Sequence, residues 1–260
     1  MRLLKLYFGF LFFFLIIACT KNINFNELEQ KENIMYSGDK PYSGSCTEYY
    51  PTGERKREMH YENGILDGIY YEFYIEGQEK SVGKYKKGLR NGLWKKYHEN
   101  GINYLEGEFI DGNKNGVWKY WYNSGQKEYE GLWKDDKQQG TWLSWYKDGT
   151  KHSEVSWKDG LQHGPEIKYY ETGKVRSKGE FFEGEQTGRW EWFYETGEIE
   201  SIENWKDGKP HGEVVNFYIN GQKKKEGHWK DGKKDGFFRS WDEEGNLISE
   251  EKFSTGEPAV

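Results

Sequence analysis

GLWKKYHENGINYLEGEFIDGNKN, running from Gly92 to Asn115, is one copy of a unit that fills most of this chain. Glycine stands at 44, 68, 92, 116, 140, 164, 188, 212 and 236, a spacing of 24 with no insertion or deletion, and again nine residues later in every copy. A third series, twenty residues behind the first, runs from Gly64 to Gly256 and is broken once, at Asp136. Together the three series hold 26 of the 33 glycines. A period of this length without slippage marks a repeat array, in which each unit buries its apolar side on its neighbours. We number the units 1 to 9 from these glycines and give positions as offsets from the first glycine, which is zero.

The aromatic residues keep the same period. Offset five is aromatic in all nine units, from Tyr49 through Trp121 and Trp145 to Trp241, and so is offset seventeen, from Tyr61 to Phe253. Offset two is aromatic in six units (Tyr70, Trp94, Trp118, Trp142, Trp190, Phe238), and offset six is Tyr in seven, with His98 and Asp242 as exceptions. Offsets one to six are short, aromatic and free of Pro except at Pro165, which suits a strand. Each is followed by three residues ending in glycine, such as Glu99-Asn100-Gly101, the requirement of a type I turn closed by a left-handed residue. The return strand ends at Asp-Gly, as in Asp111-Gly112 and Asp207-Gly208, a second turn signal. A further glycine at offset fifteen (Gly83, Gly107, Gly131, Gly179, Gly227) marks a bulge or a close backbone approach. Each unit is therefore expected to be a β-hairpin.

The pattern G-x-W-x-x-Y-Y-x-x-G, followed by an aromatic-x-D-G, resembles the MORN repeat in its bacterial variant, often labelled a YwqK-type antitoxin family. The resemblance covers residues 42 to 256. It implies an all-β fold, an elongated single-layer antiparallel meander of nine stacked hairpins. Eighteen strands at about 4.8 Å per step would make an array on the order of 80 Å long.

Ahead of the array, Met1–Ala18 reads as a targeting segment: Arg2 and Lys5 precede an apolar run from Leu6 to Ala18 that is short for a spanning helix. The run ends Leu15-Ile16-Ile17-Ala18-Cys19, which resembles the lipobox of bacterial lipoproteins and implies a lipid-bearing Cys19. The expected organisation is a lipoprotein signal peptide over 1–18, a lipidated cysteine with a polar tether over 19–41, and a nine-repeat array over 42–260. Within the tether, Asn33–Tyr36 has the composition of a short strand capping the first repeat, with Tyr36 one residue out of phase. The expected location is the cell envelope, lipid-anchored to a membrane, on the outer membrane or the cell surface.

Charge excludes one class of partner. The formal charge of −6 becomes −8 without Arg2 and Lys5, and Lys alternates with Asp and Glu along every unit. Nucleic acid requires a clustered basic surface. With Cys19 lipidated, Cys46 has no partner for a disulfide.

Catalytic and metal chemistry find no anchor. His163 and His211 share offset twenty-three, and His60 and His228 share offset sixteen, so equivalent histidines stand at least four strands apart, roughly 19 Å, where they cannot converge on one ion. The Asp at offset nineteen repeats because a turn wants it, and no nucleophile elbow, phosphate loop or isolated carboxylate pair breaks the pattern. The expectation is a non-enzymatic protein with no cofactor and no metal. Offsets two and seventeen should hold neighbouring strands together. Offsets five and six are adjacent on a strand and point to opposite faces, so one of them should be exposed on a single-layer sheet. The candidate binding ladder is Trp121, Tyr122, Trp145 and Tyr146, beside Trp118 and Trp142. It would meet a protein partner or, since ring faces suit sugars and quaternary ammonium groups, a glycan or envelope polymer. The family label adds an immunity role against a toxin.

Overall fold

The computed structural model describes residues 22–259. The leader 1–18 and the lipidation candidate Cys19 lie outside the described residues.

Unit 3 shows how the sequence builds the repeat. Its outgoing strand Gly92–Tyr97 pairs antiparallel with its return strand Asn103–Ile110, Gly92 opposite Phe109 and Lys96 opposite Leu105. In the loop between them the His98 N–H donates to the Ile102 carbonyl at 2.8 Å, the Gly101 N–H donates to the His98 carbonyl at 2.9 Å, and Gly101 has a φ of 81°. This is the type I turn and left-handed bulge that the three loop residues call for. The return strand ends in Asp111 and Gly112 with φ of 49° and 90°, the two positive values of a type I′ hairpin turn. Asp136, where the glycine series breaks, occupies the same position at φ 60°. Aspartate tolerates the left-handed region better than most residues, and its carboxylate accepts the Lys114 N–H at 2.8 Å.

Successive units join through a bulge at the first glycine. Against the return strand of unit 3, Lys119 faces Glu106 and Asn115 faces Glu108, so Gly116, Val117 and Trp118 together oppose Gly107. The outgoing strands of units 4 to 8 consequently start earlier than the aromatic pattern suggests, as in Asn113–Trp121 and Lys137–Trp145, because pairing begins directly after the type I′ turn. From Gly44–Tyr49 in unit 1 to Leu247–Ser254 in unit 9 the hairpins follow one another in a single long sheet that does not close on itself.

Residues 22–41 differ from a tether. Ile23–Asn24 pairs parallel with Cys46 and Thr47, and Glu29–Lys31, Ile34–Ser37 and Lys40–Pro41 form a separate three-stranded sheet. Ile23, Met35 and Tyr42 are buried with Cys46, Met59 and Tyr61 in one cluster that closes the first end of the array. The Tyr36–Pro41 pairing copies Tyr61–Leu66 in unit 1. One extra residue between Pro41 and Gly44 puts this half-unit out of step with the 24-residue count.

The sheet packs its own core on one face. Trp94, Phe109 and Trp118 are buried there, with Tyr85, Leu105, Tyr120 and Trp133 half-buried around them. Each offset-two ring meets an offset-seventeen ring edge to face: Trp118 on Phe109 at 5.0 Å, Trp142 on Trp133 at 5.4 Å, Trp190 on Phe181 at 5.2 Å. Such pairs add about 0.5–1.5 kcal/mol each beyond the area they bury. Cations cover the row, Arg90 over Trp94 at 4.9 Å and Lys114 over Trp118 at 4.7 Å and Trp133 at 4.5 Å. Burial in this setting lowers the pKa of the Lys114 ammonium.

Candidate interaction surface

The glycine at offset fifteen exists for the tryptophan that follows. A Cβ on Gly107 would lie 2.2 Å from the Trp118 ring, and the same overlap recurs for Gly83 with Trp94, Gly131 with Trp142 and Gly179 with Trp190. The indole nitrogens then donate along the strand, Trp94 to the Lys84 carbonyl at 3.1 Å and Trp190 to the Glu180 carbonyl at 3.2 Å. Trp118 is 2 % exposed. Trp142 is half-buried in the same row. Both sit in the inter-unit core face rather than on a presented ladder.

Tyr122 and Tyr146 serve the loops. Each offset-six hydroxyl donates to the carbonyl of offset five one unit on: Tyr122 to Trp145 at 2.9 Å, Tyr146 to Tyr169 at 2.7 Å, with Tyr50, Tyr74, Tyr170, Tyr194 and Tyr218 doing the same. In unit 3, His98 substitutes, its Nε2 lying 2.8 Å from the Trp121 carbonyl. Trp121 and Trp145 lie on the face opposite the core row. The expectation that offset five or six would be strongly exposed is not met, since all four residues are half-buried. Lysine stems explain part of this, with the Lys127 Nζ 5.0 Å above Trp145 and Lys151 above Tyr169. The six residues therefore fall into three places, two in the core row, two in the loop row and two on the second face.

That second face carries offsets one, three, fourteen and sixteen, and its hollows repeat. Three cavities of ≈ 530, 430 and 310 Å³ are lined by those offsets of adjoining units: Ser45, Thr47, Glu58, His60 and Ile69 in the first, Ile167, Lys178, Glu180 and Arg189 in the second, Glu213, Glu226, His228 and Arg239 in the third. Ion pairs occupy much of the polar surface of this face. Glu106 lies between Lys95 and Lys119 at 3.8 and 3.4 Å, Glu191 holds Lys178 and Arg189 at 2.9 Å each, and Glu226 takes Lys223 and Arg239. Hydrogen bonds from Lys178, then the positive charge of its two partners, keep the Glu191 carboxyl below the usual range. Ser45 Oγ stands 3.1 Å from His60 Nδ1 in the first cavity. Beside it Cys46 is buried, its thiol pushed up to about 12 by burial.

Sequence reasoning passed over the apolar side chains of this face. Ile69, Leu93 and Val117 at offset one are all more than half exposed. The bulge turns them outward while it turns the offset-two rings inward, and the identity of offset one in consecutive units was the available signal. Among the described residues no group of three His, Cys, Asp or Glu side chains is placed to hold a metal ion, and no helix is long and apolar enough to cross a membrane.

A family model for the MORN repeat variant matches residues 42–63, 90–111, 114–135, 138–159, 162–183, 186–207 and 210–231. No curated protein matches the chain.

Proposed function

The chain belongs to the MORN repeat variant family, and from that premise we propose a non-enzymatic repeat scaffold that is held at a membrane and binds a protein partner through the second face of its sheet. The observation that carries this reading is the division of labour between the faces. Offset-two rings, offset-seventeen rings and offset-six hydroxyls are consumed in joining one unit to the next, whereas offsets one, three, fourteen and sixteen form equivalent hollows at three places along the array. Repeated equivalent hollows favour avidity over a single pocket. The membrane attachment rests on the Leu15–Cys19 sequence, with Cys19 as the acylated residue.

Metabolic labelling with a fatty-acid probe tests the attachment: label should enter the full chain and be lost in Cys19→Ser. Label retained in that variant, or absent from the native chain, overturns it. For the scaffold, removing units 5 and 6 together in frame should leave a shorter folded array with a graded loss of partner captured by crosslinking in cells. Complete loss of capture on removing any one pair of units, with the array still folded, would point to a single local site instead.

A further inference from the structure

On the second face the first four units differ in kind from those that follow. Ile69, Leu93 and Val117 are 56, 57 and 51 % exposed, they hold offset one of three consecutive units, and they stand about 9.6 Å apart. Leu132 pairs directly with Val117 and is exposed too, and Leu89 and Ile110 border the row on the same face. In the next four units offset one is Thr141, Pro165, Arg189 and Glu213. The run of consecutive apolar offset-one residues is confined to one half of the array, while Leu161, Phe182 and Phe237 are exposed singly farther along. Four units across, with strands six residues long, give about 38 by 20 Å, or roughly 760 Å², near the ~800 Å² per partner of a standard interface. A single-layer sheet provides no second layer of its own to cover it.

The charges between these side chains indicate what does. On this face unit 1 carries Glu58, Glu62 and Asp67 against Arg55; unit 2 carries Lys84 and Lys86 against Glu79; unit 3 carries Glu106 and Glu108 against Lys95; unit 4 carries Lys119, Lys127, Lys134 and Lys137 against Glu130. The balances are −2, +1, −1 and +3 in order. Reversing that series and laying it on itself sets −2 against +3 and +1 against −1. Laying it on itself in the same direction sets every unit against its own sign. A partner must also match ridges and hollows that recur every two strands, and a chain of the same repeat has that pitch. We propose that the face of units 1–4 is covered by the same face of a second copy of this chain, antiparallel to the first about a two-fold axis between units 2 and 3. Such a pairing is isologous and closes as a dimer. It does not depend on lipidation, and it leaves the hollows of units 6–7 and 8–9 to the partner proposed above.

Sedimentation equilibrium of the purified full-length chain reads the association. The native chain should form a dimer, and Ile69→Ser/Leu93→Ser/Val117→Ser should weaken it at least tenfold while far-ultraviolet circular dichroism stays unchanged. Lys84→Glu/Lys86→Glu should also weaken it, and adding Glu108→Lys should recover part of the loss, because unit 2 lies against unit 3 of the partner copy only in the antiparallel arrangement. A monomeric native chain overturns the proposal. So does a dimer that the triple serine variant leaves intact, which would place the contact at a sheet edge, and so does a monomer that binds neutral lipid vesicles through these same side chains. Charge reversal without any recovery on adding Glu108→Lys would overturn the antiparallel arrangement.

Discussion

In seven of the nine units a single tyrosine hydroxyl ties one hairpin loop to the next. The Tyr122 hydroxyl donates a hydrogen bond to the Trp145 carbonyl at 2.9 Å, and Tyr122→Phe should therefore lower stability by about 0.5–1.5 kcal/mol, measured by denaturant titration, since the loop edge lets water replace the lost donor. Cys46 makes a sharper probe. With its thiol buried and pushed up to about 12, almost none is thiolate at neutral pH, and the thiolate is the reactive form. A soluble maleimide should label Cys46 only after the first end of the array opens, so its labelling rate should rise with denaturant in step with loss of the cluster of Ile23, Met35 and Tyr61. Fast labelling of the native chain at this position would mean that the cluster is not closed. Glu203 supplies a pH signature. Burial raises its carboxyl above 4.5, so the fold holds this proton more tightly than the unfolded chain does. The associated stability is complete below pH 4.5 and is lost as pH rises through the raised value. Glu203→Gln should accordingly stabilise the protein at neutral pH, with the gain disappearing below pH 4.5 in thermal melts run across that range.

Between strands, the informative unit is the glycine of one return strand with the tryptophan of the next outgoing strand. Gly107→Ala would drive a Cβ to within 2.2 Å of Trp118, an overpacking that should cost about 1–3 kcal/mol. Three junctions lack the pair: Met59 precedes Tyr70 within the end cluster, Val155 stands opposite Glu166 and Glu203 opposite Val214. The buried Glu166 is held there by Lys168 at 2.9 Å. Glu166→Trp alone should be destabilising, because Val155 occupies the space an indole needs. Val155→Gly with Glu166→Trp should recover the loss, with a coupling energy of about 1 kcal/mol or more in a double-mutant cycle; additive effects would show that the ring and the glycine do not act as a pair. This rule was open to reading from the chain itself. The five glycines at offset fifteen precede Trp94, Trp118, Trp142, Trp190 and Phe238 and no other offset-two residue. The turns were equally legible, because Asp111-Gly112 and Asn100-Gly101 have few alternatives to the conformations they adopt. The exposure of Trp121, Tyr122, Trp145 and Tyr146 was not. It depends on where a hydroxyl bonds 23 residues away and on which lysine stem lies over which ring, and neither carries a local mark. Residues 22–41 were hidden for a simpler reason: one inserted residue near Tyr42 erases the phase while the backbone repeats the same pairing.

For the whole molecule, stability should follow the junctions. Each unit touches only its neighbours, so the array behaves as a one-dimensional chain of coupled segments. Hydrogen exchange should show the strands around Trp94 and Trp118 as the slowest, and the junctions between units 5 and 6 and between units 7 and 8 as the first to open within the array. Uniform protection along all nine units would mean that the tryptophan and glycine pairs do not govern cooperativity.

The pairing of every strand with its sequence neighbours also bears on how the chain reaches this form. No contact in the array waits for a distant segment to arrive, so loop-closure entropy is met in small equal steps and the topology favours rapid folding. The first end is closed by Ile23–Asn24 and the small sheet that follows it, and these are the first of the described residues to leave a ribosome or a translocation channel. Each later hairpin then emerges beside an edge that is already formed. Maturation can proceed as directional growth, with one unpaired edge at the advancing front at any moment rather than a collapse of 18 strands at once.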